Sequence, residues 1–208
     1  ISYSAAISAC EKCERWEQAL SLFAEMQCIK IVPDLINHNA AISACEKCMQ
    51  WEQALRLFTE MRVMRLVPDA ITYGAAISAC EKGKQWEQAL SLFREMGPMR
   101  LATDVIVYNA MISACEKGQE PERAMELLRD MQRQGLTPDT ITYSAVISAC
   151  EKKRLWECAF ELLLGMEKRR LVPDVIICNA AIGACWKSKE TGRVLELLHG
   201  MQDWSVSP

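Results

Sequence analysis

Apolar residues recur at helical spacing along the chain, and the pattern itself repeats. In one stretch His38, Ala41, Ile42 and Cys45 follow an i, i+3, i+4, i+7 spacing, which lays a single stripe along a helix. Shortly after, Trp51, Ala54, Leu55, Phe58 and Met61 make a second stripe. Gly83 and Gly118 stand in the gap in two later copies, and glycine just past a helix end is a common stop. Pro121 replaces the Trp that opens the second stripe, a place where the missing N–H would be unpaired anyway. Ser2, Asn37, Thr72 and Thr142 offer N-caps for the first helices; Val107 and Ile177 cannot, so those two helices are predicted to start less crisply. No alternating strand pattern interrupts the series, so the fold class is all-α.

The copies keep one period. Cys-Glu-Lys begins at Cys10, Cys45, Cys80, Cys115 and Cys150, Cys185-Trp-Lys completes the series, and every step is 35. A closing Asp recurs at Asp34, Asp69, Asp104, Asp139 and Asp174. The repeats therefore run 1–34, 35–69, 70–104, 105–139, 140–174 and 175–208, read as one array with about twelve helices. Phasing without insertions is expected when every helix must meet its copy in the next repeat. Two helices cannot bury both stripes alone, whereas stacked pairs bury them in one core and leave a long concave surface. The start at Ile1 and the end at Pro208 lie close to repeat boundaries, which suggests a fragment of a longer array. Its outer faces lack polar caps, so self-association or a need for further repeats is expected.

Half the residues are apolar, enough for a continuous core, and no run of eighteen apolar residues predicts a membrane-spanning helix. The net charge of −3 runs against the basic footprint usual in nucleic-acid binders. A local basic stripe would have to compensate.

Ile71-Thr-Tyr-Gly-Ala-Ala-Ile-Ser-Ala-Cys, then Trp86-Glu-Gln-Ala-Leu-Ser-Leu-Phe-Arg-Glu-Met, with Pro-Asp closing other repeats, resembles the pentatricopeptide repeat. Thr103 stands where the other repeats have Pro, and Gly97-Pro98 shortens one second helix. The peptide-binding tetratricopeptide repeat has a 34-residue period and an early Trp and Leu-Gly in its first helix. Here the period is 35 and the Trp opens the second helix. The resemblance implies a right-handed α-solenoid of six helix–turn–helix repeats that binds single-stranded RNA, one base per repeat, read by two or three side chains. It further implies an organelle, chloroplast or mitochondrion, and RNA processing with protein partners. A protein-binding scaffold of the same fold, or the targeting half of an enzyme whose catalytic domain lies elsewhere, are the alternatives.

In the resembled family the second residue of a repeat packs on the base face: here Ile1, Ile36, Ile71, Ile106, Ile141 and Ile176. The fifth residue and the last select the base. The fifth residues are Ser4, Asn39, Gly74, Asn109, Ser144 and Asn179, and the last are the five Asp. An ionised Asp only accepts hydrogen bonds, so it favours the central N–H of guanine or uracil over the lone pair of adenine or cytosine. Short Ser leaves room for a purine and longer Asn reaches a pyrimidine. The resemblance thus implies G, U, a weak G at Gly74, U, G and then a pyrimidine. An Asn109→Ser exchange is expected to leave stability nearly unchanged, because both are acceptable near a helix start. Taken singly, each Pro-Asp is ordinary turn chemistry.

Lys12, Lys47, Lys82, Lys117, Lys152 and Lys187 end the first helices. They complement the helix dipole, and the resemblance implies a ladder of phosphate contacts. Glu17, Glu52, Glu87, Glu122 and Glu157 open the second helices and are placed on the outer surface. Six of the eleven cysteines recur once per repeat, roughly 8–10 Å from their copies if the helices pack normally. That exceeds the Cα separation of about 7 Å that a disulfide tolerates. They read as small buried residues in a reducing compartment. The Cys10–Cys13 and Cys45–Cys48 pairs lack two further ligands for zinc. His38 and His199 are the only histidines. His38 stands where other repeats have Tyr, so it reads as packing. No catalytic constellation, deaminase signature, phosphate loop or cofactor motif is present.

Overall fold

The computed structural model describes residues 3–190, 192–194 and 197. By contacts the chain divides into two compact units, Ile1–Thr103 and Asp104–Pro208. The first holds α1 (Tyr3–Lys12), α2 (Trp16–Cys28), α3 (Leu35–Lys47), α4 (Trp51–Val63), α5 (Ala70–Lys82) and α6 (Trp86–Met96). The second holds α7 (Val105–Gly118), α8 (Pro121–Arg133), α9 (Thr140–Lys152), α10 (Trp156–Lys168) and α11 (Val175–Lys187). Residues 192–194 and 197 are also helical, the rest of the expected twelfth helix lies outside the described residues, and no strand occurs among those described. The all-α reading and the helix pair per repeat hold. α6 is 11 residues long against 13 for α2 and α4, the shortening expected from Gly97-Pro98.

The first helices start on an interaction that the sequence reading misplaced. The N-cap is the closing Asp, whose Oδ1 accepts the backbone N–H three residues on: Asn37, Thr72, Val107, Thr142 and Ile177, at 2.8–2.9 Å. Asn37, Thr72 and Thr142 are N3 residues; they return a bond by accepting the cap residue's own N–H, which completes a capping box. Helices α7 and α11 lack that return bond but are capped by Asp104 and Asp174 all the same. Ser2 lies outside the described residues.

Helix ends are equally uniform. One or two residues past most helix ends the chain takes a left-handed conformation, as at Met49, Lys84, Gln119 and Arg154; after α6 it comes later, at Arg100, and among the described residues of this kind only Gly135 is glycine. The next N–H reaches back to the last-turn carbonyl, as Gln85 does to Cys80 at 2.8 Å and Leu66 to Met61 at 2.9 Å. These are Schellman-type stops that satisfy otherwise orphaned carbonyls. Gly83 is not the left-handed residue; its φ is −77° and Lys84 takes that role. Glycine there serves close approach, because a Cβ would lie 2.4 Å from Cδ1 of Trp51.

In the first unit α1, α3 and α5 stack in series, and α2 and α4 each pack on their own first helix and on the next one. The second unit repeats this with α7, α9 and α11, and with α8 and α10. The first helices are buried through small and β-branched residues: Ala41, Ile42 and Cys45 in α3, Ala76, Ile77 and Cys80 in α5, Val146, Ile147 and Cys150 in α9. Aromatics close the joints between repeats. Phe23 meets the His38 ring edge-on at 4.7 Å, and Phe58 meets Tyr73 at 5.0 Å. His38 is therefore a core residue, its Nδ1 2.9 Å from the Asp34 carbonyl. Gly83→Ala gains helix propensity but forces Trp51 to shift. It is expected to lower unfolding stability by about 1–3 kcal/mol in urea titration. An unchanged or higher stability would show that Trp51 yields without cost.

Candidate nucleic-acid interface

A large apolar side chain normally goes inside, yet the second residue of each repeat from the second to the sixth is exposed. Ile36, Ile71, Ile106, Ile141 and Ile176 are 63–72 % exposed, each two residues beyond a capping Asp. The cap fixes the first turn, and the first turn fixes where each Ile sits. Exposed apolar residues scattered singly are ordinary, but a series in register within each unit marks a surface there for apolar faces. Ile1 lies outside the described residues.

The fifth residue of a repeat and its closing Asp come together in two repeats. Asn39 Nδ2 donates to Asp69 Oδ1 at 3.3 Å, and Asn109 Nδ2 donates to both oxygens of Asp139 at 3.3 Å. The N3 threonine of the next helix ties the pair. Thr72 donates to Asn39 Oδ1, and Thr142 to Asn109 Oδ1, both at 2.6 Å. In the first repeat the link runs through Asn37, which donates to Ser4 Oγ at 2.9 Å while its Oδ1 accepts the Asp34 N–H. Gly74 contributes no side chain, and it and Asp104 belong to different units. Ser144 and Asp174 line one cleft of about 310 Å³ with Ile141, Ser113, Glu116 and Ser148. That cleft is at the lower end of the range, roughly 300–1,000 Å³, of small-ligand sites. Asn179 is exposed.

Burial acts to raise the carboxyl pKa of Asp69 and Asp139. The backbone and hydroxyl donors of Thr72 and Thr142, with the amides of Asn39 and Asn109, outweigh it and hold both below the usual 3.8. These carboxylates are ionised acceptors at neutral pH.

Four lysines of the ladder are paired. Lys47 binds Glu11 at 2.9 Å and Lys82 binds Glu46 at 2.6 Å in the first unit. In the second, Lys152 binds Glu116 at 2.5 Å and Lys187 binds Glu151 at 2.9 Å. Each glutamate comes from the Cys-Glu-Lys phrase of the preceding repeat. The Glu11 hydrogen bond is the main cause that lifts the Lys47 ammonium above its ordinary pKa. Lys12 is exposed at the end of α1, and Lys117 lies one residue before the end of α7. The sequence reading missed these glutamates although their period of 35 matches the lysines. Glu17, Glu52, Glu87, Glu122 and Glu157 are exposed, as expected.

Cys45, Cys80, Cys115, Cys150 and Cys185 are buried, while Cys10 is partly exposed. Burial pushes the thiols of Cys45, Cys80 and Cys150 up to about 12 and that of Cys115 up to about 11, so they stay protonated and inert. Among the described residues no three metal-ligating side chains gather. His199 lies outside them.

A family model described as "PPR repeat family" matches residues 33–82 and 103–152, and one described as "PPR repeat" matches 1–31, 71–97 and 141–171. No curated protein sequence matches. Among solved structures the chain is similar to the pentatricopeptide repeat protein PPR10 from maize, at 25 % identity and a TM-score of 0.69 over 99 % of this chain and 30 % of that one. It is similar to the same protein in complex with an 18-nucleotide RNA element, at 25 % identity and a TM-score of 0.65 over 99 % of this chain and 28 % of that one. The PPR domain of Arabidopsis thaliana protein-only RNase P 1, solved with tRNA, shares the fold at 18 % identity and a TM-score of 0.71, over 80 % of this chain and 88 % of that one. The chain thus spans less than a third of the maize protein's length.

A carboxylate held below its ordinary pKa stabilises the fold above that value and loses the contribution as pH falls through the lowered one. Stability should therefore decline below about pH 4 as Asp69 and Asp139 protonate. Thr142→Val removes the hydroxyl donor, moves the Asp139 carboxyl up toward 3.8 and shrinks the acid-side decline. Carboxyl NMR titration of both forms checks it; an Asp139 titration identical in the variant would refute the assigned cause.

Proposed function

The chain belongs to the pentatricopeptide repeat family, and from that premise we propose that it binds single-stranded RNA, one base per repeat. The observation that carries this reading is the meeting of Asn109 with Asp139, repeated by Asn39 with Asp69. A base resting on the exposed isoleucine of a repeat would present its Watson–Crick edge to that pair. The cap bond to Oδ1 fixes the carboxylate rotamer, as Thr72 does for Asp69, and Oδ2 keeps lone pairs for a base N–H. Ionised Asp then favours G or U, and Ser or Asn at the fifth place decides between them. The preferred strand is G/U-rich, close to G-U-(G)-U-G and then a pyrimidine, with the Gly74 repeat least selective. By family, the setting is RNA processing in a chloroplast or mitochondrion. The similarity to a maize protein crystallised with RNA supports the partner class.

Phosphates would be held by the lysines, which must first leave their glutamates. Each contact exchanges an intramolecular carboxylate for a phosphate, so the glutamates limit affinity. Lys47, Lys82, Lys152 and Lys187 together changed to Gln should weaken binding to all sequences alike and flatten the log–log salt slope by about 0.7 per lysine. Glu116→Gln should instead tighten binding, by releasing Lys152. Titrations at several salt concentrations test both; a lysine-free variant that binds as tightly as the parent would leave the ladder a stacking device alone.

Asn109→Ser should change the base preferred by the fourth repeat from U to G, by about 1–3 kcal/mol, and leave neighbouring preferences unchanged. The expectation of unaltered stability is corrected: the exchange removes the Asn109 bonds to Asp139 and Thr142 and should cost about 1 kcal/mol. Competition among the four bases at that one position reads the outcome. An unchanged preference in a folded variant would assign these residues to capping alone.

A further inference from the structure

The aromatic residue at the fourth place of a repeat ends in a hydroxyl that needs an acceptor. Tyr3 donates to Glu25 at 2.8 Å, Tyr73 to Glu95 at 3.1 Å and Tyr108 to Asp130 at 2.6 Å. The acceptor is always an acid 22 residues on, in the second helix of the same repeat. Tyr143 breaks the rule, because Gly165 stands there. Tyr143 is only 3 % exposed, and among the described residues its hydroxyl has no hydrogen-bond partner. A cavity of about 240 Å³ opens instead, lined by Tyr143 and Gly165 with Arg129, Gln132, Leu162 and Glu161. A Cβ on Gly165 would lie 3.9 Å from the Tyr143 oxygen, so the cavity begins where the missing acid would.

We propose that this cavity between α8, α9 and α10 binds a small aliphatic carboxylate, which takes the place of the absent acidic side chain. The Tyr143 hydroxyl donates to it, as Tyr108 does to Asp130. Arg129, which forms no salt bridge among the described residues, supplies the counter-charge, and the Gln132 amide offers a further donor. Leu162 gives a short alkyl chain an apolar wall. Glu161 opposes an anion, which keeps the site weak and makes it a control. A carboxylate with a short alkyl chain is small enough for this volume. The site uses none of the first-helix isoleucines or closing aspartates, so it stands or falls independently of RNA binding.

The test uses sodium butyrate on the whole chain, against sodium chloride at equal ionic strength and against neutral butyramide. Butyrate should raise the Tm of the parent where the other two do not, and ligand-detected NMR should give a measurable Kd. Tyr143→Phe should weaken butyrate about tenfold. Glu161→Gln should tighten it. Gly165→Glu supplies the acid within the chain, so it should raise the Tm unaided and abolish the butyrate response. Gly165→Ala separates helix propensity from the missing acid; it should raise the Tm yet respond to butyrate as the parent does. Equal responses in parent, Tyr143→Phe and Gly165→Glu would mark a general salt effect and overturn the proposal, as would a parent that ignores butyrate.

Discussion

The bond from the closing aspartate to the backbone N–H three residues on is the constraint the other features hang from. It starts each first helix of the second and later repeats at a fixed residue, and so fixes the angular position of everything along that helix. The exposed isoleucine, the buried Ala-Ile-Cys stripe and the terminal lysine all take their places from that start. In two repeats the same carboxylate meets the fifth residue of its own repeat, Asp69 with Asn39 and Asp139 with Asn109. Capping therefore does not compete with the recognition proposed for these aspartates. A carboxylate immobilised by its cap is a better-defined acceptor than a free one, because its orientation is settled before any ligand arrives.

Charge follows the same economy of position. Five first helices carry Glu-Lys near their end, and within each unit stacking sets Lys47, Lys82, Lys152 and Lys187 on a glutamate of the repeat before. Surface pairs of this kind add little to stability individually. Their effect here is on electrostatics: they neutralise a stripe that the lysines alone would make basic. Lys47, Lys82, Lys152 and Lys187 can thus present a free cation only where a competing anion draws them from their glutamates.

Period and stripe were legible without coordinates because they depend on spacing alone. The 35-residue step, the helix pair in every repeat, the shortened α6 and proline at the start of α8 all follow from local rules. So did the choice of His38 as a core residue, since its place in the stripe is that of Tyr. The assignment of the cap failed for a reason that is also local: Asp, Asn and Thr are all good caps, and three residues separate the two candidates. Only the backbone conformation distinguishes N-cap from N3 in a reciprocal capping box.

What needed the tertiary structure is whatever joins residues about one period apart. The pairing of each lysine with the glutamate 36 residues earlier, the threonine bridge from one repeat to the fifth residue of the last, and the approach of Trp51 to Gly83 are contacts between stacked copies. The opening beside Tyr143 lies within one repeat: its sequence neighbours match those of Tyr73, but Gly165 stands in the facing helix where Glu95 accepts from Tyr73. The sequence determined where each helix lies and which face it buries, because hydrogen bonding and periodicity act within a few residues. Which side chains then meet was decided by stacking, because a contact depends on two surfaces and a repeat carries the pattern of only one.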